Sequence, residues 1–250
     1  MEAYYTLAVV MFLAVVLVLV ILLLLAVSKA LARLGQAESR HPLLIGSGLL
    51  AWLALLAFLA QSGFFRNFQI LPPRIAFAVL PPVLIILFLA GSGRVSRLLA
   101  VLPPGWLIGA QVFRVAMEVV LWLLFLDNLV PVQMTFEGLN YDVLAGLTAP
   151  VIALYLARNP KRKKTVGVVW NILGLLLLLN IVTIAFLSAP FPFRAFMNEP
   201  ANTIVAHWPF IWLPGFVVPM AFLLHVFSLK QLLAGSKSGA VATPDKTIVI

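Results

Sequence analysis

The stretch QVFRVAMEVVLW, Gln111 to Trp122, places a glutamine, an arginine and a glutamate inside an apolar run from Gly105 to Leu126. That run is long enough to cross a bilayer, since a spanning helix needs about 20 predominantly apolar residues. A single charge at the bilayer centre costs about 2.5–3.5 kcal/mol even on the most lenient scales, so such residues face a bundle interior or water. Gln111, Arg114 and Glu118 follow i, i+3, i+7 spacing and therefore form one stripe on one helix face. Counted from Gly105 at about 1.5 Å per residue, Arg114 lies roughly 13 Å and Glu118 roughly 20 Å into the membrane. The stripe thus predicts other helices closed around it.

The rest of the chain supplies them. Of its 250 residues, 63% are hydrophobic and 10% charged, with a mean hydropathy of +1.12. Soluble domains are about one quarter charged. Seven segments meet or approach spanning length: Tyr5 to Val27, Leu43 to Ala60, Ile75 to Ala90, Gly105 to Leu126, Tyr141 to Ala157, Thr165 to Leu187 and Trp208 to Leu229. The third and fifth are short. The fold class expected is all-α: a polytopic membrane protein, a bundle of seven transmembrane helices.

Loop charge sets the expected orientation, because Lys and Arg are retained on the cytoplasmic side. With the N-terminus out and the C-terminus in, the inner loops hold Lys29, Arg33, Arg40, Arg94, Arg97, Arg158, Lys161, Arg162, Lys163 and Lys164, and the C-terminal end adds Lys230, Lys237 and Lys246. Only Arg66, Arg74 and Arg194 fall outside, and Arg114 lies within the membrane. Glu2, Asp127, Glu137, Asp142 and Glu199 fall on the outer side. This pattern supports a multi-pass chain of seven helices, N-terminus out and C-terminus in. The first span lacks a basic region before it and has Lys29 and Arg33 after it, so it reads as an anchor rather than a cleaved signal. KRKK, Lys161 to Lys164, reads as a topogenic loop. Residues 1–233 then form the transmembrane domain and 234–250 a flexible cytoplasmic tail.

Within the bundle, partners for the stripe are sought by depth. Asn171 and His225 match the level of Arg114, while Thr148 and Asn180 fall nearer Glu118. Asn171 and Asn180 are nine residues apart and face opposite ways, and Asn171 is favoured. Arg114 and Glu118, one turn apart, are expected to pair with each other. The interior substrate or ion site is therefore Gln111, Arg114, Glu118, Asn171 and His225. In the functional reading Glu118 carries a proton, Arg114 tunes it or binds an anion, and His225 and Asn171 continue a path to the cytoplasm. The structural alternative is a buried ion pair with Asn and His bridging helices.

Two long connections, DNLVPVQMTFEGLNYD and SAPFPFRAFMNEPANTIVAHW, are expected to fold over the outer face as a lid or vestibule. They supply a second candidate site of Glu137, Asp142, Asn198, Glu199 and His207. Pro81, Pro82, Pro150, Pro209, Pro214 and Pro219 interrupt the third, fifth and seventh spans and free backbone carbonyls that must find other donors.

Several chemistries fall away. The chain has no cysteine. No lysine lies within a span to hold retinal, and His41, His207 and His225 are too dispersed for a three-histidine metal site or a bis-histidine haem. No Ser/His/Asp set or phosphate-binding glycine loop is present, so neither an enzyme nor a cofactor is expected. The basic excess reflects loops rather than nucleic-acid binding.

The runs QVFRVAMEVVLWLLF, MTFEGLNYDVLAGLTAP and FMNEPANT resemble a group of bacterial seven-helix membrane proteins of unknown activity. The resemblance covers roughly Trp106 to Leu233 and implies an inner-membrane location and a shared helical core. The function expected is transport of a small solute or ion; a sensor with an outer-loop ligand, or a structural or assembly subunit, are the alternatives. The partners expected are the lipid bilayer, a small-molecule or ion ligand, and a second copy or another membrane protein.

Overall fold

The computed structural model describes residues 3–158 and 163–234, and among these it is entirely helical apart from turns and loops. Lys161, Arg162, Lys237, Lys246, Glu2 and the tail from residue 235 on lie outside the described residues. The helices are α1 (Ala3–Arg33), α2 (His41–Gln61), α3 (Ala76–Gly91), α4 (Gly93–Ala100), α5 (Pro104–Gly109), α6 (Phe113–Leu126), α7 (Val143–Arg158), α8 (Lys163–Ser188) and α9 (Val218–Ala234). A 3-10 turn at Ala110–Val112 joins α5 to α6 as one span, and a π-helical turn at Leu213–Val217 leads into α9.

Among the described residues five helices are long and apolar enough to cross a membrane, or six if α3 and α4, bent by 78° at a short break, count as one span. The fifth segment expected, Tyr141 to Ala157, is α7, with 16 residues. The last begins at Leu213 rather than Trp208, because the preceding residues are taken up by turns.

Burial is distributed as a bilayer requires. Phe88 is 81% exposed, whereas Arg114 is 1% exposed. Apolar side chains look outward and charge is enclosed, the reverse of a water-soluble domain.

The end where α6 and α8 finish is termed upper here, and the end where they begin, lower. The Tyr5 backbone N–H donates to the Asp127 carboxylate at 2.6 Å, which satisfies one of the free donors of the α1 N-terminus and ties it to the upper end of α6. α1 then packs along α6, with Phe12 against Phe210. At the lower end Lys230 donates to the carbonyls of Ala90 and Ser92 at the α3–α4 elbow, and Gln231 to those of Leu99 and Leu102. Lys230 thus caps a neighbouring helix end.

Proline placement has visible compensation. Pro219 lacks the N–H that would bond Gly215 O four residues earlier, and the Trp52 indole donates to that oxygen at 3.0 Å. In return the Trp212 indole donates to Leu53 O at 2.9 Å, so α2 and the π-turn are locked by two reciprocal bonds.

α5 and α7 meet along a seam of small residues, Gly105 and Gly109 facing Ala153. A Cβ on Gly105 would lie 2.8 Å from Ala153 O, so the backbones touch. Higher up, a Cβ on Gly146 would lie 2.8 Å from the Val115 backbone nitrogen. Gly146→Leu forces these backbones apart and is expected to cost about 1–3 kcal/mol. A lowered unfolding temperature of the purified variant in detergent is the expected result; an unchanged one would contradict this packing.

Candidate functional site

The connection between α6 and α7 decides the site. After α6 ends, Asn128 adopts a left-handed conformation (φ 58°) and the chain reverses, with Leu129 N bonding Leu124 O and Asn128 N bonding Phe125 O. The segment passes through a 3-10 turn at Val132–Met134 and then descends into the bundle. Asn140 reaches Glu118, eight residues or about 12 Å below the end of α6. Asn180, likewise eight residues below the end of α8, donates to Leu139 O at 2.9 Å. α7 therefore starts at mid-height and runs to the lower end, which explains its shortness. Irregular backbone at this depth is tolerated because it is enclosed by protein.

The descent delivers Asp142 to Arg114. The guanidinium donates to both carboxylate oxygens, Nε to Oδ2 at 2.6 Å and Nη2 to Oδ1, in a fork that matches its geometry. Arg114 thus pairs with Asp142, and the expected pairing with Glu118 is not formed. The interhelical route wins because it supplies two parallel bonds, whereas neighbours one turn apart on a helix meet at one edge. Arg114 Nη2 also donates to Gly174 O at 3.4 Å, and Nη1 lies 2.8 Å from His225 Nε2. These bonds use four of the five guanidinium N–H groups, and its charge is met by Asp142.

Tautomers follow from the donors. A guanidinium has no lone pair, so His225 Nε2 accepts and Nδ1–H donates to Asn171 Oδ1 at 3.0 Å. Asn171 Nδ2 in turn donates to Gly167 O and to Ser228 Oγ. Gly174 creates the space: a Cβ there would collide with the His225 ring. On the other side, Asp142 N donates to Asn140 Oδ1 at 3.0 Å, and Asn140 Nδ2 donates to both Glu118 oxygens at 2.7 Å. One network thus runs Ser228, Asn171, His225, Arg114, Asp142, Asn140, Glu118, and every one of these residues is buried, Asp142 the most exposed at 7%. Gln111 stands apart: its Nε2 donates to Ala221 O at 3.1 Å and its Oε1 has no partner.

A cavity of about 130 Å³ opens onto this network. Arg114, Asp142 and Glu118 form its polar floor; Met117, Leu121, Leu178, Ile181 and Val217 line its walls; Phe68, Phe191, Val205 and Asn202 stand near its upper end. Phe186, 37% exposed, lies at its rim. An engineered apolar cavity of about 150 Å³ holds benzene, which sets the scale.

Of the second candidate set, Asp142 belongs to the interior network and not to an outer site, because its loop dives inward. The others are engaged locally. Glu137 accepts from the Trp122 indole at 2.7 Å, and His207 Nδ1 lies 3.1 Å from Thr203 O. Asn198 donates to Gln133 Oε1 and Gln133 to Ser188 Oγ, so Gln133 ties the two long connections into one cover, as expected of a lid. Glu199 accepts from Arg194 at 3.0 Å and from Ala201 N, and the Arg194 bond first, then the backbone N–H, holds its carboxyl below the ordinary value. Thr148, placed by depth near Glu118, instead accepts from the Trp170 indole. Sequence reasoning missed Asn140 and Ser228 and the use of Gly174. The Asn-x-Asp pattern before an apolar helix, an Asx turn at a helix start, was the available signal for Asn140.

Residues 70–233 match the model of a family described as Domain of unknown function (DUF8737). The resemblance expected from Trp106 to Leu233 lies within that range, and α1 and α2 lie before it. No curated protein and no solved structure matches the chain.

Removing one partner of a buried pair leaves an uncompensated charge and costs about 3–5 kcal/mol, whereas replacing both by apolar residues is often neutral. Asp142→Ala and Arg114→Ala are each expected to lower the yield of monodisperse protein sharply, and Arg114→Met with Asp142→Leu to restore much of it. A double variant no better folded than the single ones would contradict the pairing described.

Proposed function

The chain belongs to the DUF8737 family, which brings no activity with it, and from the site itself we propose that it carries a small, mostly apolar solute in the inner membrane of a bacterium. In this reading seven passes place the N-terminus outside and the C-terminus in the cytoplasm, and α7 is the incomplete one. The solute enters the cavity from the upper, outer end beneath the two tied connections and is oriented by the polar floor.

A single observation supports this reading over a sensor or an assembly subunit: the cavity reaches the buried charges. Its floor is Glu118, Arg114 and Asp142. A sensor read through its outer loops has no use for a pocket that extends to mid-height, and a purely structural bundle has no use for a void there, since lost packing is destabilising. Interrupted helices that line one cavity, as the start of α7 at Asp142 and the π-turn before α9 do, are a recurrent way of building a membrane solute site. The closed network behind Glu118 keeps the floor rigid, which limits the ordering cost of binding.

Two measurements test this. Proteoliposomes should exchange radiolabelled short-chain alkyl compounds faster than protein-free liposomes, and Ala185→Phe, which fills the cavity from α8, should cut that protein-dependent rate roughly tenfold or more without changing the elution profile. Equal exchange by Ala185→Phe and wild type would sink the carrier reading. For orientation, a lone cysteine at Glu38, between α1 and α2, should resist impermeant thiol reagents in intact cells and react after lysis; labelling in intact cells would reverse the topology.

A further inference from the structure

The polar groups around the cavity are unequal in what they offer. Arg114 is fully engaged: Asp142 takes its charge, and Gly174 O and His225 Nε2 take further N–H groups. No other lysine or arginine lines the cavity. Asp142 is in turn covered by the guanidinium fork. What remains is Glu118, whose two oxygens receive only the amide of Asn140. At the other end, Asn202 is 1% exposed; its Nδ2 donates to Ala185 O at 2.9 Å and its Oδ1 has no partner. Buried polar atoms without partners are uncommon and costly.

Both ends of the cavity therefore present acceptors in want of donors, and the wall between them is aliphatic and aromatic. Their spacing can be read along α8. Asn202 bonds Ala185 O, while Leu178 lines the cavity nearer the floor. Seven residues of helix separate these levels, about 10 Å. The space suits an unbranched chain and excludes a phospholipid headgroup or a bulky ring system.

Resting on the carrier reading above, we infer that the cavity selects short unbranched aliphatic amines, with the nitrogen at Glu118 and, where the ligand has one, a terminal hydroxyl or second amine at Asn202 Oδ1. One proton is shared between the Glu118 carboxyl and the amine. A neutral amine takes it from the acid and an ammonium brings it to the carboxylate, so the same ion pair results. Asn140 continues to donate to Glu118 on its far side, which keeps the carboxyl aimed into the cavity. A carboxylate ligand is disfavoured against an amine, because it would bring a second acid beside Glu118 where the one cation of the floor is already paired with Asp142; such repulsion is what gives a polar site its selectivity.

Calorimetric titration of the full chain in nanodiscs with hexylamine, hexanol, hexanoate and aminohexanol tests this. Hexylamine should bind roughly tenfold or more tightly than hexanol, with hexanoate weaker still. Aminohexanol should exceed hexylamine, and Asn202→Ala should remove that excess while leaving hexylamine binding unchanged. Glu118→Gln should erase the advantage of the amine; if that variant fails to fold, the head-group order on wild type decides alone. Hexanol or hexanoate binding as well as hexylamine would overturn the amine assignment. Should those compounds bind to wild type and not to Ala185→Phe, the cavity reading survives and only this assignment falls; binding of none of the four overturns both.

Discussion

The structure depends on one ion pair, Arg114 with Asp142, enclosed at mid-height. An arginine in that position cannot be left facing hydrocarbon, and no acid on its own helix meets it with two parallel bonds. The acid must come from elsewhere, and it comes on a loop. Because that loop has to bring its own backbone polar groups into the bundle, its inward residues Asn140 and Asp142 are buried and it is bonded to α6 and α8 through Asn140 and Leu139. The short α7 and the close contact at Gly146 follow from where the loop must end.

That same requirement shapes the cavity. Once Asp142 neutralises Arg114, and His225 and Gly174 O occupy the remaining guanidinium edge, the positive charge is no longer available to a ligand. Glu118 is left as the polar group of the floor, held by an amide rather than by a cation. The residues that look most reactive in the sequence are thus divided by the fold into a scaffold and a site. Arg114, Asp142, His225, Asn171 and Ser228 hold four segments together; Glu118 and Asn202 face open space.

Much of the architecture was legible. Apolar run lengths placed five of the seven expected segments to within about two residues at each end, whereas α1 runs six residues past Val27, the last helix is shifted at both ends and α4 was not expected; the cost of intramembrane charge was enough to predict that Gln111, Arg114 and Glu118 are buried, as they are. Depth counting found the Asn171 and His225 partnership, because 1.5 Å per residue is a reliable ruler on a straight helix. It failed at Asp142 and Thr148. Asp142 lies in a loop, for which the ruler has no meaning, and loop charge alone sent it to the outer side. Thr148 was counted on a full-length span, but α7 starts at mid-height and descends, so Thr148 lies below Glu118 and meets Trp170 instead.

By itself, then, the sequence determined that the chain is a helical membrane protein with polar residues turned inward, since solvation by hydrocarbon is set by composition and period, both local properties. Only the tertiary structure decided which acid meets which base. That choice depends on a reversal at Asn128 and on glycines at 146 and 174 that let a loop and an imidazole approach. Pairings of this kind join residues 28 and 111 positions apart, and no local period carries them.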